Sequence, residues 1–94
     1  MDDARLKKLM YRAEHRGFRE ADIIIGGFAR KHLAELSPDQ VDAFERLIDQ
    51  PDQDIYAWII GREPVPEAFA SDVMDLIRGF RFFVHTTIGA HRGA

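Results

Sequence analysis

The sequence predicts a small all-α fold, a single five-helix bundle around one core. Three observations carry this expectation. The chain has 94 residues, 46% of them hydrophobic, the size and apolar content of one packed domain. Apolar residues recur at three- and four-residue spacing almost throughout, and alternation of period two is absent over any useful length. Gly and Pro interrupt the pattern at short intervals, which calls for short loops between helices. No repeat, linker or low-complexity run divides residues 1–94, so they read as a single helical domain.

The first helix is expected from about Asp3 to Arg16. Leu6, Leu9, Met10 and Ala13 make its apolar stripe, while Lys8, Arg12 and Arg16 share another face. Gly17 is expected to stop it as a left-handed C′ residue. The second helix spans about Arg19 to Ala34, with Ala21, Ile24, Ile25, Phe28, His32 and Leu33 on one face. Glu20 and Asp22 occupy its first turn, where the helix dipole favours anions. Gly26-Gly27 lies inside this pattern at a cost of up to ~1 kcal/mol per Gly relative to Ala, which a close helix crossing explains. A short strand at Ile23-Ile24-Ile25 is the weaker alternative.

The third helix has the clearest start signal. Ser37 is the N-cap, Pro38 fits N1, Gln40 completes a capping box, and Leu36 and Val41 can staple across it. Val41, Phe44, Leu47 and Ile48 form its buried face, and Pro51 ends the run. Asp52 or Asp54 caps a short fourth helix through Ile55, Tyr56, Trp58, Ile59 and Ile60, with Gly61 as C′ and Trp58 in the core. Pro64-Val65-Pro66 is a stiff link, with Pro66 beginning a fifth helix that carries Phe69, Val73, Leu76, Ile77, Phe80 and Phe83. The pattern fades after His85, and a tail of about 86–94 is expected to fray.

Composition excludes several functions. Cys is absent, which removes disulfides, thiolate catalysis and Cys-ligated metal sites. Thirteen Lys plus Arg against 16 Asp plus Glu give a net charge of -3, which argues against a general nucleic-acid binder. No apolar run approaches the roughly 18 residues of a membrane span. The start Met1-Asp2-Asp3 has no apolar stretch resembling a signal peptide, which suggests an intracellular protein. His15, His32, His85 and His91 have no recognised metal-ligand spacing. His32 is expected at the edge of the second helix's apolar face and the others in solvent. Ser37 and Ser71 are the only serines, and no phosphate-cradling Gly motif is present. Neither a metal site nor enzymatic activity is expected.

Charge is uneven along the chain. Between Arg5 and Arg19 the basic residues Arg5, Lys7, Lys8, Arg12, Arg16 and Arg19 are opposed only by Glu14, whereas 35–75 is strongly acidic. Intramolecular pairing accounts for most of this. A basic docking patch around the turn Arg16-Gly17-Phe18-Arg19-Glu20 is the sharper reading. A helix cap followed by a dipole-favoured acid explains Gly17 and part of Glu20. It does not explain Phe18 between two arginines, a composition typical of binding hot spots. Candidate partner-binding residues are therefore Arg12, Arg16, Gly17, Phe18, Arg19 and Glu20. Asp52 and Asp54 read first as caps and alternatively as an acidic pair facing a partner.

The stretch from Arg12 to Asp22 resembles the RGxxE signature region of the SdhE-type FAD assembly factors of succinate dehydrogenase. Further matches follow in order: Gly26, Phe28-Ala29, His32-Leu33, Leu36-Ser37, Phe44-Glu45-Arg46-Leu47, the Pro51 to Trp58 stretch, and Gly61-Arg62-Glu63-Pro64. RGxxE alone is a weak motif; with the DxDxYxW and GREPxP segments at these distances the set is highly specific, and it covers about Leu6 to Phe80. The resemblance implies a small helical bundle that binds the flavoprotein subunit of succinate dehydrogenase, and in bacteria also of fumarate reductase. It implies promotion of covalent FAD attachment to a histidine of that subunit, with Arg16, Gly17 and Glu20 at the contact. Position 18, often Met in relatives, is Phe18 here, which keeps an apolar contact. FAD then belongs to the client, and this chain binds none tightly. The free protein is expected to be a monomer without nucleic-acid partner or membrane insertion. Its place is the bacterial cytoplasm, or the mitochondrial matrix for a processed eukaryotic form. The alternatives are a generic helical adaptor and a helix-turn-helix nucleic-acid module.

Overall fold

A computed structural model describes residues 3–81. They form five helices and no strand, so the all-α expectation holds and the strand at Ile23-Ile24-Ile25 is not formed. Helix α1 is Asp3–Glu14. Helix α2 is one continuous composite: an α-turn Arg19–Ala21, a π-helical stretch Asp22–Gly26, an α-segment Gly27–His32 and a closing 3-10 turn Leu33–Glu35. Helix α3 is Pro38–Ile48, α4 is Asp52–Ile59, and α5 begins at residue 72 and continues through 81.

Each start and stop has a local cause. At Ser37 the full capping box forms: the hydroxyl accepts from the Gln40 N–H at 3.2 Å, and the Gln40 side chain accepts from the Ser37 N–H at 2.8 Å. Gly61, with φ +80°, is the one residue of positive φ among those described. It ends α4 in a Schellman motif, in which the Arg62 N–H donates to the Ala57 carbonyl at 2.9 Å and the Gly61 N–H to the Trp58 carbonyl at 3.3 Å. The paired glycines of α2 are where helices cross. A Cβ at Gly26 would lie 3.1 Å from Glu14 Cα and 3.2 Å from the Ala13 carbonyl, and one at Gly27 would lie 3.1 Å from the Phe80 ring. Three β-branched residues followed by two glycines make a poor regular helix. The π-turn falls on this stretch, where α2 meets α1.

The core collects residues from every helix, including Leu9, Ile25, Phe28, Leu33, Phe44, Ile55, Trp58, Met74 and Ile77. Phe28 packs on Phe44 at a ring separation of 5.8 Å and on Phe80 at 6.1 Å. His32 does sit at the edge of this face, its ring 6.0 Å from that of Phe80. His15 is exposed and stacks on Tyr11.

Four expectations need correction. The first helix ends at Glu14, not Arg16, because carboxylates outside the helix take the N–H groups of Arg16 and Gly17. Gly17 is not left-handed. Neither Asp52 nor Asp54 caps α4: Pro51 holds the N-cap position, and Asp52 is drawn away to Arg16. The fifth helix does not start at Pro66. A separate 3-10 turn, Glu67–Phe69, lets Phe69 stack on Trp58 at 5.3 Å, and Ala70 is extended. Ser71 then opens α5, its hydroxyl accepting from the Met74 N–H at 3.4 Å. The late start rotates the helix so that Val73, Met74 and Ile77 are buried while Leu76 is 46% exposed. Phe83, His85, His91 and the tail 86–94 lie outside the described residues.

Candidate protein-docking site

The basic first helix and the acidic third are zipped together. Arg5 and Arg12 lie at i and i+7, one stripe of α1, which Arg16 extends just past the helix end. Asp42, Glu45 and Asp49 lie at i, i+3 and i+7, one stripe of α3 that Asp52 extends into α4. Arg5 reaches Asp42 at 2.6 Å and Glu45 at 2.9 Å, Arg12 pairs with Asp49, and Arg16 meets Asp52 at 2.6 Å. Donation from Arg5 to Asp42, and next to Glu45, raises the Arg5 pKa above the ordinary arginine value. Intramolecular pairing thus absorbs much of the uneven charge, as the blander reading expects.

The seam ends at the α1–α2 turn. Arg16 points inward: its side chain is 9% exposed and that of Asp52 is 21% exposed. Its Nε donates to Asp52 Oδ1, its Nη2 to the Ile48 carbonyl at 2.9 Å and, weakly, to the Gln50 carbonyl at 3.5 Å, and its Nη1 to the Arg12 carbonyl at 3.3 Å. The second oxygen of Asp52 accepts the Gly17 N–H at 2.5 Å. Asp22, from the first part of α2, accepts the Arg16 N–H at 2.5 Å. Two carboxylates from different helices therefore hold consecutive N–H groups of the turn.

Phe18 is half-buried, its ring edge-on to Tyr56 at 5.2 Å, rather than the exposed aromatic the sequence suggests. Its carbonyl accepts the Asp22 N–H at 3.1 Å and so starts α2. Arg19 and Glu20 project outward; both are exposed and neither forms an ion pair with another described residue. Glu20 does not brace Arg16, because Asp52 already does. Asp54 is exposed two residues beyond Asp52. The corner thus brings together Arg12, Arg16, Gly17, Phe18, Arg19, Glu20 and Asp52, and places two opposite charges on its outer side.

Sequence reading overlooks Asp22 and Tyr56 as parts of this corner. Asp22 is read as a dipole-favoured acid and Tyr56 as a helix residue, and both fall in stretches that carry the resemblance, but neither is marked as part of the turn. The Asp22 carboxylate reaches six residues back to the Arg16 N–H, a contact that no short-range spacing signals.

Small-molecule binding has less to work with. Surface grooves of about 390 Å³ beside Ala70, Asp72 and Arg78 and of about 370 Å³ beside Leu6, Met10 and Tyr11 are present. Among the described residues no buried side-chain polar atom lacks a partner, and no group of acidic or His side chains is placed to hold a metal ion. No described helix is long and apolar enough to cross a membrane.

Residues 7–81 match the family described as "Flavinator of succinate dehydrogenase". The chain is similar to a mitochondrial succinate dehydrogenase assembly factor 2 of Dictyostelium discoideum, 38% identical over 72 residues, which cover 77% of this chain and 51% of that protein. A Danio rerio protein of the same name is 36% identical over 80 residues, 83% of this chain and 51% of its own length. The FAD assembly factor SdhE of Acetobacter pasteurianus is 35% identical over 71 residues, 76% of this chain and 65% of its own. The chain spans about half the length of the first two relatives.

Proposed function

Because this chain belongs to the succinate dehydrogenase flavinator family, we propose that it binds the flavoprotein subunit of succinate dehydrogenase and promotes covalent attachment of FAD to a histidine of that subunit. The observation that carries this reading is the Arg16–Glu20 turn. Within a family match over 7–81, that turn is braced from inside and leaves Arg19 and Glu20 open to a partner. The fumarate reductase flavoprotein is a second client of the same chemistry.

FAD, when held by the client, would supply the chemistry of attachment at its 8-methyl carbon, where the client histidine becomes bonded. This chain contributes position. A rigid corner with a fixed cation and anion holds the client's domains in the arrangement in which histidine and flavin meet. Arg19 suits a client carboxylate or carbonyl, and Glu20 a client cation. In this reading the chain acts as an accessory factor rather than an enzyme, and no proton transfer or covalent step is assigned to its residues. It works where the flavoprotein subunit folds, in the bacterial cytoplasm or the mitochondrial matrix. The nucleic-acid reading weakens for a physical reason: Arg5, Arg12 and Arg16 are already neutralised by α3 and α4.

The test is covalent flavin in the client. The succinate dehydrogenase flavoprotein subunit is expressed with and without this chain, denatured, and its flavin fluorescence read in the gel. Fluorescence that rises with the wild-type chain and falls with Glu20→Ala supports the assembly-factor reading. Equal fluorescence in every lane, with no complex on co-purification, rejects it and moves the weight to a generic adaptor.

A further inference from the structure

Within the docking turn, Arg16 and Gly17 are satisfied from inside the molecule by one side chain, Asp52. The Arg16 guanidinium has its Nε on Asp52 and its Nη donors on carbonyls of Arg12, Ile48 and Gln50, so a client carboxylate reaches it only by dismantling these bonds. The need for glycine at position 17 has the same origin. Its φ is not positive, so backbone conformation does not demand it. A Cβ there would sit 2.7 Å from Asp52 Oδ2, and the three nearest atoms all belong to Asp52. That carboxylate is not free to step aside, because Arg16 Nε holds one oxygen and the Gly17 N–H the other.

We infer that Asp52 is a positioning residue for client docking: it locks Arg16 and Gly17 so that Arg19 and Glu20 are presented in a fixed geometry, and position 17 is glycine to make room for its carboxylate. The inference rests on the assembly-factor reading above and assigns its parts. Asp52, Arg16 and Gly17 act through the shape of the turn; Glu20 and Arg19 touch the client. A preorganised contact loses affinity when its support is removed, while the outward groups remain chemically competent.

A double-mutant cycle tests this. Covalent flavin in the succinate dehydrogenase flavoprotein subunit is measured against the concentration of added chain, for the wild type and for Asp52→Ala, Gly17→Ala, Glu20→Ala and their pairs. Asp52→Ala is expected to raise the half-maximal concentration about tenfold. The maximum reached at saturating chain stays unchanged. Gly17→Ala does the same. The Gly17→Ala/Asp52→Ala pair is no worse than the poorer single variant, to within about twofold, because both remove one lock. Glu20→Ala instead multiplies its loss with either. Asp52→Asn keeps the shape and one acceptor and falls between wild type and Asp52→Ala; it carries the same cycle if Asp52→Ala does not fold.

Gly17→Ala retaining its full loss on the Asp52→Ala background overturns the inference, because glycine would then be required by the client's own approach. Asp52→Ala and Asp52→Asn at the wild-type half-maximal concentration overturn it equally. A wild-type chain that yields no added flavin is a different failure: it removes the assembly-factor reading, and this inference with it.

Discussion

Arg16 and Arg19 stand three residues apart in one turn and are used in opposite ways. Arg16 is nearly buried and bonded to a carboxylate and three carbonyls. Arg19 is exposed and forms no ion pair with a described residue. The same division separates Gly17, which is pressed against Asp52, from Glu20, which faces solvent. A signature of five consecutive residues thus has an inward-facing part and an outward-facing part, and under the proposed function the outward part is the one that meets the partner. Substitution in the first part acts on stability and turn geometry, and substitution in the second acts on the partner alone.

The largest expected effect is that of Gly17→Arg. Its side chain cannot coexist with the Asp52 carboxylate, and client affinity falls by more than ~100-fold, read by co-purification and in-gel flavin fluorescence. Position 17 lies between helices, so far-UV circular dichroism retains the helical signal; loss of helicity would erase the division drawn here. Arg16→Ala comes next. It strips one oxygen of the half-buried Asp52 carboxylate and three backbone carbonyls of their guanidinium donor, at a cost of about 2–3 kcal/mol in urea unfolding. Gly61→Ala sharpens the contrast between the two kinds of glycine. At φ +80° any side chain is strained, so about 1 kcal/mol is lost without loss of client binding. Arg12→Ala removes an exposed pair of the same seam and costs under about 1 kcal/mol. The smallest effect on stability is that of Glu20→Ala, within about 0.5 kcal/mol of wild type, although client docking is weakened. Equal destabilisation by Arg12→Ala and Arg16→Ala would show that burial does not separate them.

How much of this was legible depends on how local each determinant is. The Ser37 cap with Gln40, the Gly61 stop and the helical stripes of α1, α3 and α4 are set by side chains within a few residues of the backbone they satisfy. They are read directly from spacing. The Gly26-Gly27 crossing is half legible: two glycines inside a helix signal a close approach, but not that α1 meets one and Phe80 the other. The start of α5 is misplaced from sequence because Pro66 and Ser71 both open helices. The stack of Phe69 on Trp58 falls with the second start.

The docking turn shows the limit most clearly. Composition marks Arg16 to Glu20 as unusual, and the resemblance names the same residues, but neither tells inward from outward. Asp52 lies 36 residues from Arg16, and its choice between capping α4 and bonding Arg16 is made only when α1 and α3 pack side by side. The sequence by itself determined an all-helical domain, the Ser37 and Gly61 caps and its family, because those depend on short-range hydrogen bonds, apolar periodicity and the identity of motifs. The tertiary structure alone decided which charges are spent within the fold and which remain for a partner. A carboxylate or guanidinium goes to whichever opposite charge and burial the packing brings within about 3 Å, and no spacing along the chain encodes that distance.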